Sequence, residues 1–397
     1  MKSYPILTIC LLLLLSGCQS SGNQEIKKIE QICKESVEQY RILSGLFPHG
    51  RFPVSYFVEN DSLAVTSSGG WVSGFYPGTL LYLYEETKDE QTLAEAERIL
   101  QLLEKEQFNT RTHDIGFMMY CSFGNALRVA PKPEYHQILE NSAKSLIERY
   151  EPNVGCIKSW DSSDSSFLVI IDNMMNLELL FHVSETTGKP IYRDIAISHA
   201  DHTIQNHFRE NYSSYHVVNY DSKTGYIIQK RTAQGLADES AWARGQAWGI
   251  YGYTMVYRFT KDRKYLDFAQ HIADFILNHP NLPEDKIPYW DFDVTGGPRD
   301  ASAAAIIASG LLELSCYVNN DMAQTYRDAA QQMLYSLSSD EYRAKDGKEG
   351  GFLLKHSVGN FPGNRDVNVP LIYADYYYIE ALLRQKKLEC GENLYAN

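Results

Sequence analysis

"WARGQAWGIYGYTMVYRFTKDRKYLDFAQHIADFIL", residues 242–277, decides the fold. Its first half, through Thr260, is apolar around the whole circumference of a helix, and a short polar turn then leads into a more charged, one-sided helix. A helix apolar all round belongs inside a protein, whereas one with a single apolar stripe belongs on its outside. An inner helix followed directly by an outer one is therefore the repeating unit to look for.

The unit recurs. Short polar turns at "EETKDEQ", "VAPKPEY", "SETTGKPIY", "RFTKDRKY" and "VNNDMAQTY" each join an apolar helix to an amphipathic one. Their uneven spacing of roughly 45 to 75 residues rules out tetratricopeptide and ankyrin arrays. One-sided helices are predicted near 25–46, 90–106, 134–149, 190–209, 263–279 and 322–339. Apolar helices are predicted near 73–87, 115–129, 168–186, 242–260, 301–318 and 371–386. The economical closure is all-α, an (α/α)6 toroid with six inner helices wrapped by six outer ones. Strand signal is confined to the 210–240 loop, where "YHVVNYD" and "GYIIQKR" suit a hairpin.

Connection lengths orient this toroid. Links from outer to inner helices are mostly long (47–72, 150–167, 210–241, 280–300 and 340–370), and links from inner to outer helices are a few residues. Alternating helices are antiparallel, so the long loops share one face with the N-termini of the inner helices. Unpaired N–H groups and positive dipole ends there favour an anion, and a pocket for an acidic molecule is expected at that mouth.

Composition agrees with a well-filled folded core and argues against other classes. A chain of 397 residues that is 44% hydrophobic can bury a large core. A net charge of −13 without a cluster of Lys and Arg excludes a nucleic-acid surface. The 28 Tyr and 5 Trp suit sugar stacking as well as core packing.

The N-terminus reads as an export leader. "MKSYPILTICLLLLLSGC" has one basic residue and an apolar run too short for a stable membrane span, and it ends in Leu15-Ser16-Gly17-Cys18. It resembles a bacterial lipoprotein signal. The resemblance implies a signal peptide over 1–17, a lipid on Cys18 and a flexible tether over 18–24, which leaves a single (α/α)6 domain over 25–397. Attachment to the outer membrane, facing the periplasm, follows as the expected location, with the lipid as the only membrane contact. Of seven Cys, Cys33, Cys121, Cys156, Cys316 and Cys390 remain in the mature chain, an odd number without C-x-x-C spacing. Free thiols are expected in place of a disulfide framework or a zinc site.

Residues able to do chemistry gather at the predicted mouth. Asp114 starts the second inner helix, Asp172 the third, and Arg244 and Trp248 the fourth, while Trp71 precedes the first. His216, Arg231 and Gln234 lie in the long loop before the fourth. Two carboxylates facing one centre raise each other's proton affinity, and an apolar floor does the same, so one can stay protonated as a general acid. Each residue also has a plainer reading: a helix cap for either Asp, an ion pair with Asp238 or Glu239 for Arg244, a satisfied loop histidine, core tryptophans. Asp172 fits the cap reading least, because "FLVII" before it is wholly apolar and a cap needs no such setting.

At this point whole strings become informative. "GGWVSGFYPGTLLYLYEET", "HDIGFMMYCSFGNALR", "IIDNMMNLELLF", "WARGQAWGIYGYTMVYRFT", "ASAAAIIASGLLEL" and "VPLIYADYYYIEALLR" together resemble the unsaturated glucuronyl hydrolases, glycoside hydrolase family 88. The resemblance covers nearly all of residues 25–390 in the same order. It implies an (α/α)6 barrel that removes a C4=C5 unsaturated uronic acid from lyase-generated oligosaccharides, glycosaminoglycan-derived disaccharides foremost, by hydrating the double bond. It further implies Asp172 as catalytic acid/base, Asp114 as the second essential carboxylate, and Trp71, His216, Gln234, Arg244 and Trp248 as substrate contacts. No cofactor or metal is implied. In the loop "KHSVGNFPGNRDVNVP", Lys355, His356 and Arg365 can either bind a sulfate or face solvent. Rival readings are an unsaturated rhamnogalacturonyl hydrolase acting on pectin fragments and a lipoprotein that captures sugars without cleaving them.

Overall fold

A computed structural model describes residues 6–162 and 166–395, with side chains from residue 24 onward. The leader, Cys10 and Cys18 fall outside the described side chains, so cleavage and lipidation lie beyond it. The first helix, α1 (Ile6–Ser44), has helical backbone through residues 18–24, which the sequence reading took as a loose tether.

Among the described residues eleven helices follow: α2 (Phe75–Thr87), α3 (Glu90–Leu103), α4 (Asn125–Val129), α5 (Pro133–Ile147), α6 (Leu177–Thr187), α7 (Pro190–His207), α8 (Ala243–Thr260), α9 (Arg263–Leu277), α10 (Ala301–Leu314), α11 (Asn320–Leu337) and α12 (Ile372–Glu389). Even-numbered helices form the inner ring. Helix α2 packs on α12 and on the turn leading into α4, that turn packs on α6, and α6, α8, α10 and α12 complete the circle. The (α/α)6 toroid read from the sequence is what the chain forms.

Burial separates the two rings as the apolar pattern requires. Every residue of α10 is buried, whereas α9 buries Tyr265, Leu266, Ala269, Ile272, Ala273 and Ile276, the i, i+3, i+4 stripe of an outer helix. The inner-to-outer turns are stopped and restarted by local chemistry. Lys88 and Lys261 take left-handed backbone after α2 and α8, and Asp89 and Asp262 then cap the next helix by accepting the N–H groups of Thr92 and Lys264. Gly188 and Pro190 perform the two tasks between α6 and α7.

Two inner segments differ from the prediction. Residues 116–124 wind as a wide π turn before α4, where an ordinary helix was expected. Residues 166–170 are a strand, and Ile171–Asn176 a 3-10 turn, so the inner helix predicted from 168 begins only at Leu177. A run of apolar residues rich in Val and Ile fits a buried strand as well as a helix, and the presence of a pairing partner settles it.

That partner is the predicted hairpin. Strand β5 (Ser166–Ile170) pairs antiparallel with β6 (Val217–Asp221), which pairs with β7 (Ile227–Arg231). Three smaller hairpins carried too little alternation to be read from sequence: β1 (Phe52–Phe57) with β2 (Ser62–Thr66), β3 (Tyr150–Glu151) with β4 (Cys156–Ile157), and β8 (Ser357–Asn360) with β9 (Arg365–Val369). All lie in the long loops, so the sheets build up one face of the toroid.

The five cysteines from Cys33 to Cys390 are free thiols. Among the described residues no helix is long and apolar enough to cross a membrane.

Candidate active site

At the loop-bearing face a cavity of about 200 Å³ opens between the inner-helix starts and the hairpins. Asp114, Asp172, Trp71, Gln234 and Arg244 line it, five of the seven residues to which the resemblance gave a role; Arg231, also named at the mouth, is not in the lining. His216 and Trp248 do not line it. They are 2% and 0% exposed and stand behind the wall.

Strand pairing places Asp172 and His216 together. Ile170 lies opposite Val217, and the Ile171 N–H donates to the His216 carbonyl at 3.1 Å, so the two strands deliver the residues flanking that pair to one point. Alternation along β5 sends Leu168 and Ile170 to one side and Phe167 and Val169 to the other. Asp172 emerges at the cavity wall, in the first turn after the strand, with a side chain 14% exposed. The apolar "FLVII" is the buried strand that carries it there.

Burial pushes the Asp172 carboxyl up to about 7. Arg244 and the residue's own backbone N–H pull the other way, Asp114 adds to the rise, and the Trp248 indole N–H opposes it. The desolvation foreseen in the sequence thus outweighs the carboxylate pair. The Asp172 Oδ2 atom is buried without a hydrogen-bond partner, and His216 Nε2 stands 3.8 Å from it, beyond hydrogen-bond distance.

His216 is fixed on its other side. Its Nδ1 accepts the backbone N–H groups of Ala233 and Gln234, both at 3.2 Å. An accepting Nδ1 has no proton, so the neutral ring carries its proton on Nε2, toward Asp172. Burial, then Arg244 and Arg231, hold the ring well below its ordinary range, and Trp242 lies tilted over it at 4.4 Å.

Asp114 sits two residues before the π segment. Its Oδ2 accepts from the Thr112 hydroxyl at 2.9 Å, and its Oδ1 lies 3.3 Å from Nε2 of His113. The π segment is tied to the Asp172 turn, because Asn176 Oδ1 accepts the Phe117 N–H at 2.9 Å. Gly116 permits this: a Cβ there would lie 2.5 Å from Asn176 Cα.

Arg244 differs most from its expected part. It pairs with neither Asp238 nor Glu239. Its Nη1 meets Asp300 at 3.0 Å and also donates to the Val358 carbonyl, while Nη2 donates to the Gly359 carbonyl at 2.7 Å. Gln234 Nε2 donates to the same Gly359 oxygen at 2.6 Å. Both residues therefore grip β8, while showing one side to the cavity. Trp248 is likewise moved from contact to support, packed against Phe117 and Tyr377 at 5.2 and 5.5 Å. Trp71 lines the cavity, tilted 40° against Tyr373.

The sequence reading missed His113, Trp160, Tyr373 and Asp366 in the lining. His113 and Tyr373 belonged to strings already singled out, "HDIGF" and "VPLIYADYYY", and the neighbouring Asp or the tyrosine run hid them. Of the three residues left open in the 355–370 loop, Arg365 lines the cavity. Lys355 donates to the Asp340 carbonyl, and His356 pairs with Asn368. Among the described residues no three His, Cys, Asp or Glu side chains converge as metal ligands would.

The arrangement offers a partly protonated acid beside a second carboxylate, two cations and an aromatic wall. Comparison with known proteins gives this a lineage. The family model described as Glycosyl Hydrolase Family 88 matches residues 54–394. The unsaturated glucuronyl hydrolase of Formosa agariphila is 44% identical over 97% of this chain and 98% of its own. The unsaturated chondroitin disaccharide hydrolase of Streptococcus pyogenes serotype M1 is 33% identical over 91% of this chain and 95% of its own. A crystal structure of an unsaturated glucuronyl hydrolase specific for heparin superposes with a TM-score of 0.88 at 47% identity, covering 93% of this chain and 99% of that one.

Proposed function

The chain belongs to glycosyl hydrolase family 88 and is a glycosidase, and we propose that it removes the non-reducing-end 4,5-unsaturated uronic acid from lyase-generated oligosaccharides, with Asp172 as general acid and base. Relatives named for chondroitin disaccharides and for heparin support glycosaminoglycan-derived disaccharides as the substrate class. The single observation that carries the assignment is the Asp172 Oδ2 atom, which is buried, unpaired and set in the cavity wall.

The chemistry follows from that carboxyl. C4 and C5 of the sugar form an enol ether conjugated to a carboxylate. Asp172 in its acid form gives a proton to C4, and the ring oxygen shares the positive charge left at C5. Water adds at C5 and returns its proton to the Asp172 carboxylate. The resulting hemiketal opens to a keto sugar as the C1–oxygen bond to the next residue breaks. No charge remains on Asp172 at the end, so one residue serves both steps. Spacing rules for displacement at the anomeric carbon do not apply to this route.

The other residues have parts set by their contacts. Asp114 adds negative charge that helps Asp172 keep its proton, and Trp71 gives the sugar a face to stack on. Arg244 and Arg365 supply positive charge in the wall for a substrate that carries a carboxylate. Incubation with heparin- and chondroitin-lyase disaccharides tests the reading. Ultraviolet absorbance of the alkene should fall with the native enzyme and stay constant with Asp172→Asn, which should still bind. Unchanged absorbance with the native enzyme on every disaccharide would overturn it.

We also propose that the domain is cleaved before Cys18 and held by lipid at the outer membrane, facing the periplasm, on the strength of the leader "MKSYPILTICLLLLLSGC". Cys18→Ala should abolish incorporation of labelled palmitate in cells and release the protein from the membrane fraction.

A further inference from the structure

Two buried N–H groups face Asp172 without meeting it at full hydrogen-bond geometry. Among the described residues, His216 Nε2 and Trp248 Nε1 are both buried without a hydrogen-bond partner. Burying such a donor is costly unless something repays it at another moment of the reaction cycle. His216 Nε2 is 3.8 Å from Asp172 Oδ2, which is itself buried without a hydrogen-bond partner, and the Trp248 indole N–H acts on the same carboxyl group.

We propose that His216 and Trp248 are positioning residues whose N–H groups close onto Asp172 once it has given up its proton, stabilising the carboxylate that must then take a proton from water. The inference rests on Asp172 being the acid and base of the reaction.

Three features of the molecule make the pair suited to this. The two backbone N–H groups on His216 Nδ1 fix its tautomer, so Nε2 always presents a proton. Trp248 carries a donor that cannot ionise. Neither residue lines the cavity, and both stand behind its wall. A charged acceptor makes a shorter and stronger hydrogen bond than a neutral one, so the donors favour the ionised form of Asp172 over its acid form. A balance results: burial keeps the proton on, and the waiting donors make its departure less costly.

Other groups face Asp172 from the elements around it. Arg244 on α8 favours the ionised form, Asp114 before the π turn opposes it, and His113 and Tyr373 complete the lining. All of these stay in place in the variants below.

The test is the pH dependence of kcat/KM on an unsaturated disaccharide. Asp172 must be protonated to begin, so activity falls as pH rises through its pKa. Removing a donor destabilises the ionised form, raises that pKa and should move the alkaline limb upward by on the order of one pH unit. Trp248→Phe and His216→Met should both do so, and His216→Gln, which restores an N–H at similar reach, should bring the limb back. Lower activity at every pH with an unmoved limb in folded Trp248→Phe and His216→Met would overturn the proposal. If His216→Met fails to fold, Trp248→Phe decides alone. Turnover by Asp172→Asn would instead refute the acid/base assignment itself, so the two failures are distinguishable.

Discussion

Two aspartates in this protein are raised by burial to about the same value and serve opposite ends. Asp172, in the cavity wall, and Asp375, in the first turn of α12, are both pushed up to about 7. Asp375 is 0% exposed and fully engaged: Oδ2 accepts from the Tyr40 hydroxyl at 3.2 Å and the Leu353 N–H at 3.0 Å, and Oδ1 accepts the Leu354 N–H at 2.9 Å. It ties the long 338–371 loop and α1 to the inner ring. Asp172 keeps one oxygen unpaired, with the His216 Nε2 atom 3.8 Å away and not quite reaching it. A raised proton affinity therefore marks burial. It is the unspent hydrogen-bonding capacity, set in the wall of a cavity, that marks the reacting group.

The comparison predicts a double dissociation. Asp172→Asn should lower kcat by about 10²–10⁴-fold, the usual worth of a general acid, with the melting temperature unchanged or raised. Arg244→Ala should act on the fold as much as on the substrate. It strands Asp300 and frees β8, and removing one partner of a buried pair costs about 3–5 kcal/mol. Denaturant titration would register it, and full stability with only KM raised would return Arg244 to a purely substrate-binding role. Asp375→Asn replaces one acceptor oxygen by a donor facing an N–H, which should cost about 1–3 kcal/mol with kcat nearly intact.

The smallest effect is one of pH on stability. Both carboxyls have folded pKa values above the unfolded value of about 3.9, so the stability they contribute is full below that value and lost as pH rises toward about 7. Urea unfolding between these limits should show a shallower decline for either Asn variant than for the native chain. Equal slopes in all three would deny that burial raises these groups.

What was legible in the sequence follows from range. The toroid is built from local signals, such as the apolar circumference of α10, the stripe of α9 and the Lys-Asp pairs that end one helix and cap the next. Asp114 and Asp172 could be read because each stands at the start of an inner segment on the loop-bearing face. The form of that start was not legible, since "FLVII" becomes a strand only through pairing with residues some fifty positions later. The same distance hid the contact between Asp172 and His216, which depends on strand register. Arg244 has its acidic partner 56 residues away at Asp300, so nearer acids were the only candidates in view. Trp248, a substrate contact by resemblance, stands beneath the lining, a layer that position along a helix does not reveal.

The most direct test is the protonated-carboxyl infrared band of the resting enzyme, followed by pH titration in the native protein, Asp172→Asn and Asp375→Asn. The native protein should lose this absorbance through about pH 7, part of it should be missing in each variant, and only the part missing in Asp172→Asn should track the alkaline loss of kcat/KM. If Asp172→Asn leaves the band whole, Asp172 holds no proton near neutrality and cannot be the acid that reaches C4.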